Sequence, residues 1–173
     1  EVKQRVADGS WEANGGMWVE PDCNVPSGES LVRQLVYGQR YFQHEFGAGS
    51  DVLCLMDVFG LPGSLPQLMQ GSGMKYFVTT KMSWNQYNRI PYDSFQWRGI
   101  DGTSVLVHLL TAPGKSGTRT ACNAVLDPGT LKATWDNYQQ KNINDSVLLT
   151  FGYGDGGGGP SKDMLERAGR LAE

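Results

Sequence analysis

Residues 52–67 read VLCLMDVFGLPGSLPQ. The apolar run 52–56 predicts a strand buried on both faces. It stops at Asp57, and Phe59-Gly60 and the Pro62-Gly63 turn lead into a short helix over 65–70. Strand, turn and helix thus follow one another within sixteen residues, the rhythm of an α/β protein. The pattern extends outward on both sides. Residues 1–8 read as helical turns ending at Gly9. Residues 10–20 read as a strand with an irregularity at Gly15-Gly16. Ser27 and Ser30 open a helix over 27–46 whose apolar side carries Leu31, Leu35, Tyr41 and Phe42. Residues 74–80 predict a second strand, and 95–100 and 104–110 a hairpin around Asp101-Gly102. Asp127-Pro128 starts a helix over 128–141. A buried strand over 147–151, a glycine loop over 152–159 and a helix over 160–171 complete the chain. The expectation is an α/β fold with a largely parallel sheet and flanking helices.

Composition narrows the function. The chain has 173 residues, the size of one domain, with a formal net charge of −3. A mildly acidic chain lacks the basic footprint of a nucleic-acid or anionic-membrane partner. No apolar run approaches the roughly 18–20 residues of a membrane span, and no signal peptide is visible. Three scattered cysteines (Cys23, Cys54, Cys122) form neither a disulfide framework nor a CxxC zinc module. A reducing, cytoplasmic setting is the default. Because the end segments read as helices without a start or a finish, the chain is expected to be a single partial domain, with self-association through exposed apolar edges.

Several residues carry chemistry, each beside a plainer alternative. Asp57 closes a buried strand, where α/β sheets place their sites, and suits a nucleophile, base or metal ligand; the plain alternative is a turn cap. Gly152, Gly154 and Gly157 formally spell GxGxxG, the dinucleotide fingerprint. Asp155 sets a negative charge in that loop, however, against a pyrophosphate. The other reading is that the glycines let a neutral ligand approach Asp155. Asp57 and Asp155 then form a carboxylate pair, the requirement of glycoside hydrolysis. Trp18, beside Glu20 and Asp22, either stacks on a sugar or fills the core, and composition favours the core. Lys81 follows a strand end; it either pairs with a carboxylate such as Asp57 or is a surface lysine. His44 and His108 stand alone, so no complete metal site is encoded. A third possibility is a non-catalytic carbohydrate-binding domain using Trp18, Trp84 and Trp97.

Together these blocks resemble the glycoside hydrolase family 38 α-mannosidases (class II), in their cytosolic-type branch. The resemblance rests on GGMWVEPDCNVPSGESLVRQ at 15–34, DVFGLPGSLPQ at 57–67, SWNQ at 83–86, WRGIDGT at 97–103 and LLTFGYGDGGGGP at 148–160. It covers nearly the whole chain and identifies it as the middle of an N-terminal catalytic domain. It implies part of a glycoside hydrolase/deacetylase-like α/β barrel and hydrolysis of terminal α-D-mannose with retention, assisted by zinc. By resemblance Asp57 is nucleophile and zinc ligand, and Asp155 is the general acid/base. Trp18, Asp22, Phe59, Lys81, Trp84 and Asn85 are implied substrate contacts, with a mannose-containing oligosaccharide as partner. The chain departs from the family at Cys54-Leu55-Met56, where Trp-Leu-Pro is usual. The family's HxHxD-type motif and its further histidine are not in these residues. One Asp does not make a four-ligand zinc site, so the isolated chain is expected to be inactive and to bind zinc weakly or not at all. The implied carboxylate separation is about 5–5.5 Å, as in retaining enzymes.

Overall fold

The computed structural model describes residues 1–85, 87–114 and 120–172. Gln86, the last residue of the 83–86 block, lies outside them. The chain divides into two compact units, 1–78 with 95–108, and 79–94 with 109–173.

The first unit holds α1 (Val2–Ala7), α2 (Gly28–Phe46), β1 (Val52–Cys54), α3 (Leu65–Gly71) and most of β2 (Tyr76–Thr79), β3 (Ser94–Arg98) and β4 (Ser104–Leu109). The strands form an open sheet in the order β1-β2-β4-β3. β1 runs parallel to β2, with Leu53 opposite Phe77. The Leu106 amide bonds the Lys75 carbonyl and the Leu110 amide bonds the Thr79 carbonyl. Both members of the pair advance together, so β4 is parallel to β2. β3 and β4 form the expected antiparallel hairpin. The Gly99 amide meets the Thr103 carbonyl, and the Asp101 carboxylate accepts the Thr103 N–H and hydroxyl at 3.0 and 2.6 Å. The sheet is therefore mostly parallel, as expected.

Its faces differ. Leu53, Phe77 and Val107 are neighbours across the sheet and wholly buried, while Tyr76 and Leu106 in the next row are each 42% exposed. The run 52–56 is accordingly not buried on both sides. Leu53 and Leu55 enter the core, and Val52, Cys54 and Met56 are half-buried. α2 starts as its sequence predicts: the Ser27 hydroxyl accepts the Ser30 N–H, and Gly47 ends the helix in a left-handed conformation.

The stretch 10–20 is not a strand. Gly15 (φ 117°) and Gly16 (φ 83°) leave the extended region and allow one parallel bridge, Gly15 to Leu53. What docks this stretch is α2. Gly38 lacks a side chain where a Cβ would lie 2.2 Å from the Gly16 carbonyl oxygen and 2.8 Å from the Trp18 nitrogen. The Trp18 N–H then reaches the Gln34 carbonyl at 2.9 Å.

The second unit holds a 3₁₀ turn (Lys81–Ser83), α4 (Pro128–Asn137) and α5 (Lys162–Leu171). α4 is capped by Asp127, which accepts the Thr130 N–H at 2.8 Å. It ends four residues earlier than its pattern predicts, because Tyr138 turns extended (ψ 128°) and buries its ring. The chain then returns so that the Gln140 side chain accepts the Asp93 and Ser94 amides and donates to the Ser94 carbonyl. That one amide group imitates a neighbouring strand. Residues 147–151 do not form a buried strand either. Leu148 is 45% exposed, and the stretch makes a single bridge, Phe151 to Ala124. A strand needs a ladder partner, and among the described residues none extends beyond that bridge. No helix is long and apolar enough to cross a membrane among the described residues.

Candidate active site

Asp57 lies just past the end of β1 and is exposed. The Leu55 amide, one residue past β1, bonds the Val78 carbonyl. Beyond it, the Asp57 amide donates to Glu20 Oε1 at 2.6 Å. Two residues on, the Phe59 carbonyl accepts from Asn24 Nδ2 at 3.1 Å. Residues 20–24, at the end of the bent stretch and just past it, thus touch the segment bearing Asp57 twice.

The Phe59 ring is 61% exposed, beside a buried Val58. Trp18 is 57% exposed and stands edge-on to Tyr41 with ring centroids 5.5 Å apart. Composition favoured a core position for it; docking on α2 through Gly38 instead leaves most of the indole open. Asp22 organises its own loop by accepting the Asn24 and Val25 amides at 2.7 and 2.8 Å. The Val25 amide and then the Asn24 amide hold its carboxyl below the usual 3.8. A depressed carboxyl pKa stabilises the turn above that ordinary value, and the contribution fades as pH falls through the folded value.

Cys23, buried at the centre of this loop, has its thiol pushed up from the ordinary 9.0 to about 11, first by burial and then by Asp22 and Glu20. Only the thiolate is alkylated. At pH 8, Cys23 should therefore react with iodoacetamide about 100-fold more slowly in the folded protein than in denaturant. Peptide mapping by mass spectrometry reads this directly, and equal rates would show that the loop is open. Burial, then Glu20 and Glu12, also raises the Cys54 thiol, which puts the Glu20 carboxylate within electrostatic reach of both cysteines.

In the second unit, Lys81 Nζ lies 3.5 Å from the centroid of the Trp84 ring, a cation–π contact. The Trp84 indole N–H donates to the Thr120 carbonyl at 2.9 Å. Asn85 is exposed and accepts the Tyr87 and Asn88 amides at 2.8 and 3.1 Å. It borders a cleft of about 300 Å³ that Ser83, Arg89, Asp93, Thr111 and Thr120 also line. Lys81 is thus a half-buried residue over an indole rather than a freely solvated lysine.

Asp155 is exposed and has φ 52°, the one non-glycine residue with positive φ among those described. Its loop closes on itself. The Tyr153 amide donates to the Gly159 carbonyl at 2.8 Å, Gly159 returns a bond to Tyr153, and the Gly157 amide bonds the Gly154 carbonyl. These amides are used inside the loop, so they do not offer a cradle for a pyrophosphate, and the dinucleotide reading gains no support. The platform of three tryptophans fares no better. Trp84 is held by Lys81 and Thr120, and Trp97 packs on the buried Phe77 at 5.8 Å, both half-buried.

Residues 1–173 match the description Glycosyl hydrolases family 38 N-terminal domain. The chain belongs to this family. It is 46% identical over 172 residues to Alpha-mannosidase 2C1 of Mus musculus, covering 99% of this chain and 16% of that protein. To Alpha-mannosidase G of Dictyostelium discoideum it is 42% identical over 166 residues, covering 96% of this chain and 15% of that one. To the Alpha-mannosidase of Saccharomyces cerevisiae it is 40% identical, with 96% and 15% covered. The chain therefore spans about one sixth of the length of these relatives. Its fold matches the crystal structure of an alpha-mannosidase from Enterococcus faecalis V583, with a TM-score of 0.67, 20% identity, and 99% of this chain and 19% of that one covered.

Among the described residues of this family 38 segment, no group of three or more His, Cys, Asp or Glu side chains gathers in a way that would hold a metal ion. A zinc site needs three or four such donors. The described residues do not supply one.

Proposed function

We infer that this chain is the nucleophile-bearing part of an α-mannoside hydrolase. The family match along its whole length, together with relatives named as alpha-mannosidases at 40–46% identity, carries this reading. Asp57 supports it as the nucleophile: an exposed carboxylate at a strand end, whose backbone is held on both sides of the residue. Retaining hydrolysis takes two displacements. An Asp57 oxygen bonds to the anomeric carbon as the bond to the departing oxygen breaks. The Asp155 carboxyl gives that oxygen its proton. Water, deprotonated by Asp155, then releases mannose in its original configuration. The positive φ of Asp155 fits this role, because strained backbone is kept where a side chain must be presented.

The exposed Trp18 and Phe59 offer apolar faces for sugar C–H groups, while Asp22, Lys81, Trp84 and Asn85 complete the proposed contacts to a mannose-containing oligosaccharide. The assembled catalytic domain is read as an α/β barrel of the glycoside hydrolase/deacetylase type, working in the cytoplasm. Zinc belongs to this proposal only in the full-length protein, with Asp57 as one ligand and the others outside this chain.

The test compares the full-length polypeptide with the 173-residue chain. The former is expected to release α-mannose first from an aryl α-mannoside, followed by proton NMR before mutarotation. The chain alone is expected to show no turnover and well under one zinc per molecule by elemental analysis. Release of β-mannose would refute retention, and turnover by the chain alone would refute the incomplete site.

A further inference from the structure

We propose that Glu20 and Asn24 form a two-point clamp that sets the position of the Asp57 carboxylate. The inference rests on the reading of Asp57 as nucleophile and adds two positioning residues that the sequence did not single out for a role. β1 ends at Cys54, three residues before Asp57. Two side chains bond the backbone beyond it. Glu20 accepts the Asp57 N–H at 2.6 Å, and Asn24 donates to the Phe59 carbonyl at 3.1 Å. One grips the peptide before the Asp57 Cα and the other the peptide after Phe59, so the intervening backbone is held at both ends.

The clamp is itself anchored. Cys23, between its two arms, is 3% exposed, and its thiol lies 3.6 Å from the Pro21 carbonyl. Asp22 locks the same turn by accepting the Asn24 and Val25 amides. On the gripped side, Val58 is 6% exposed and pins the middle of the segment. Gly60 makes room for the second arm, since a Cβ there would lie 1.7 Å from Asn24 Nδ2. A charge-assisted bond from a backbone amide to a carboxylate is short and directional. Holding a reacting atom to within a fraction of an ångström matters because a misplacement of about 1 Å can cost about 100-fold in rate.

The test uses the full-length polypeptide and an aryl α-mannoside. Glu20→Ala is expected to lower kcat by about 10- to 100-fold with KM changed less than about threefold. Glu20→Gln keeps the accepting oxygen and is expected to restore kcat to within about threefold of the parent. Asn24→Asp is nearly isosteric but cannot donate to the Phe59 carbonyl, and is expected to lower kcat by about tenfold or more. Equal losses in Glu20→Ala and Glu20→Gln, or an unimpaired Asn24→Asp, would overturn the clamp. The aspartate variant decides the matter should Glu20→Ala not fold. Asp57→Asn is the reference. Its full activity would overturn the nucleophile reading, whereas an inactive Asp57→Asn beside unimpaired Glu20 and Asn24 variants would overturn the clamp alone.

Discussion

Asp57→Asn in the full-length polypeptide is expected to lower turnover of an aryl α-mannoside by about 10⁴-fold or more. Asparagine preserves the shape of the side chain and leaves the backbone amide free to bond Glu20 as before. What it removes is the charged oxygen proposed to bond to the anomeric carbon. On that mechanism both displacements fail without it, so kcat and kcat/KM fall together. The substitution should leave the melting temperature within about 2 °C, because an exposed carboxylate contributes little to stability. Asp57→Ala sharpens the experiment. The vacated space admits a small anion such as azide, which attacks the sugar from the side Asp57 occupied and leaves a mannosyl azide of inverted configuration. An Asp57→Asn enzyme within about tenfold of the parent would rule out nucleophilic catalysis by this residue.

The second large effect concerns stability. Gly38→Ala, in the middle of α2, should favour the helix by about 1 kcal/mol if intrinsic preference decided the outcome. The prediction is the reverse: a loss of about 2–4 kcal/mol. The new methyl would sit 2.2 Å from the Gly16 carbonyl oxygen and 2.6 Å from the Met17 carbonyl carbon. Both are backbone atoms and cannot rotate aside. Stretch 15–18 would have to lift off the helix, and the Trp18 N–H would lose the Gln34 carbonyl. Unfolding in urea measures the loss. Near-ultraviolet circular dichroism reports the Trp18 edge contact with Tyr41. A stabilised Gly38→Ala variant would mean that the close approach of this stretch to α2 does not exist in solution.

Much of the fold was legible from local pattern. The helix over 27–46 announced itself through Ser27, Ser30 and its spaced leucines, and the hairpin through Asp101-Gly102; both form within a few residues of the expected bounds. Their signals are short-range, because a cap or a turn is made by neighbours in sequence. The misreadings share a different cause. Stretches 10–20 and 147–151 have strand-like composition, but composition says nothing about whether a partner strand lies alongside. Each acquires one bridge. The end of α4 moved because the core needed Tyr138, which is 1% exposed, and tertiary packing overrides helix preference. At the site, the sequence singled out Asp57 and Asp155 as side chains that can do chemistry. Glu20 and Asn24 carried no such signal, because their part is played through backbone atoms 37 and 35 residues away.

By itself, then, the sequence determined the α/β alternation, the family, and which carboxylates are candidates for the chemistry, since these depend on residue types in local order. The tertiary structure alone decided that Trp18 stands exposed on α2 rather than inside the core, that a glycine within a helix is a docking surface, and that the Asp57 backbone is held by a loop distant in sequence. Those outcomes depend on which backbone groups meet across long stretches of chain, where a missing methyl or one amide hydrogen decides the geometry.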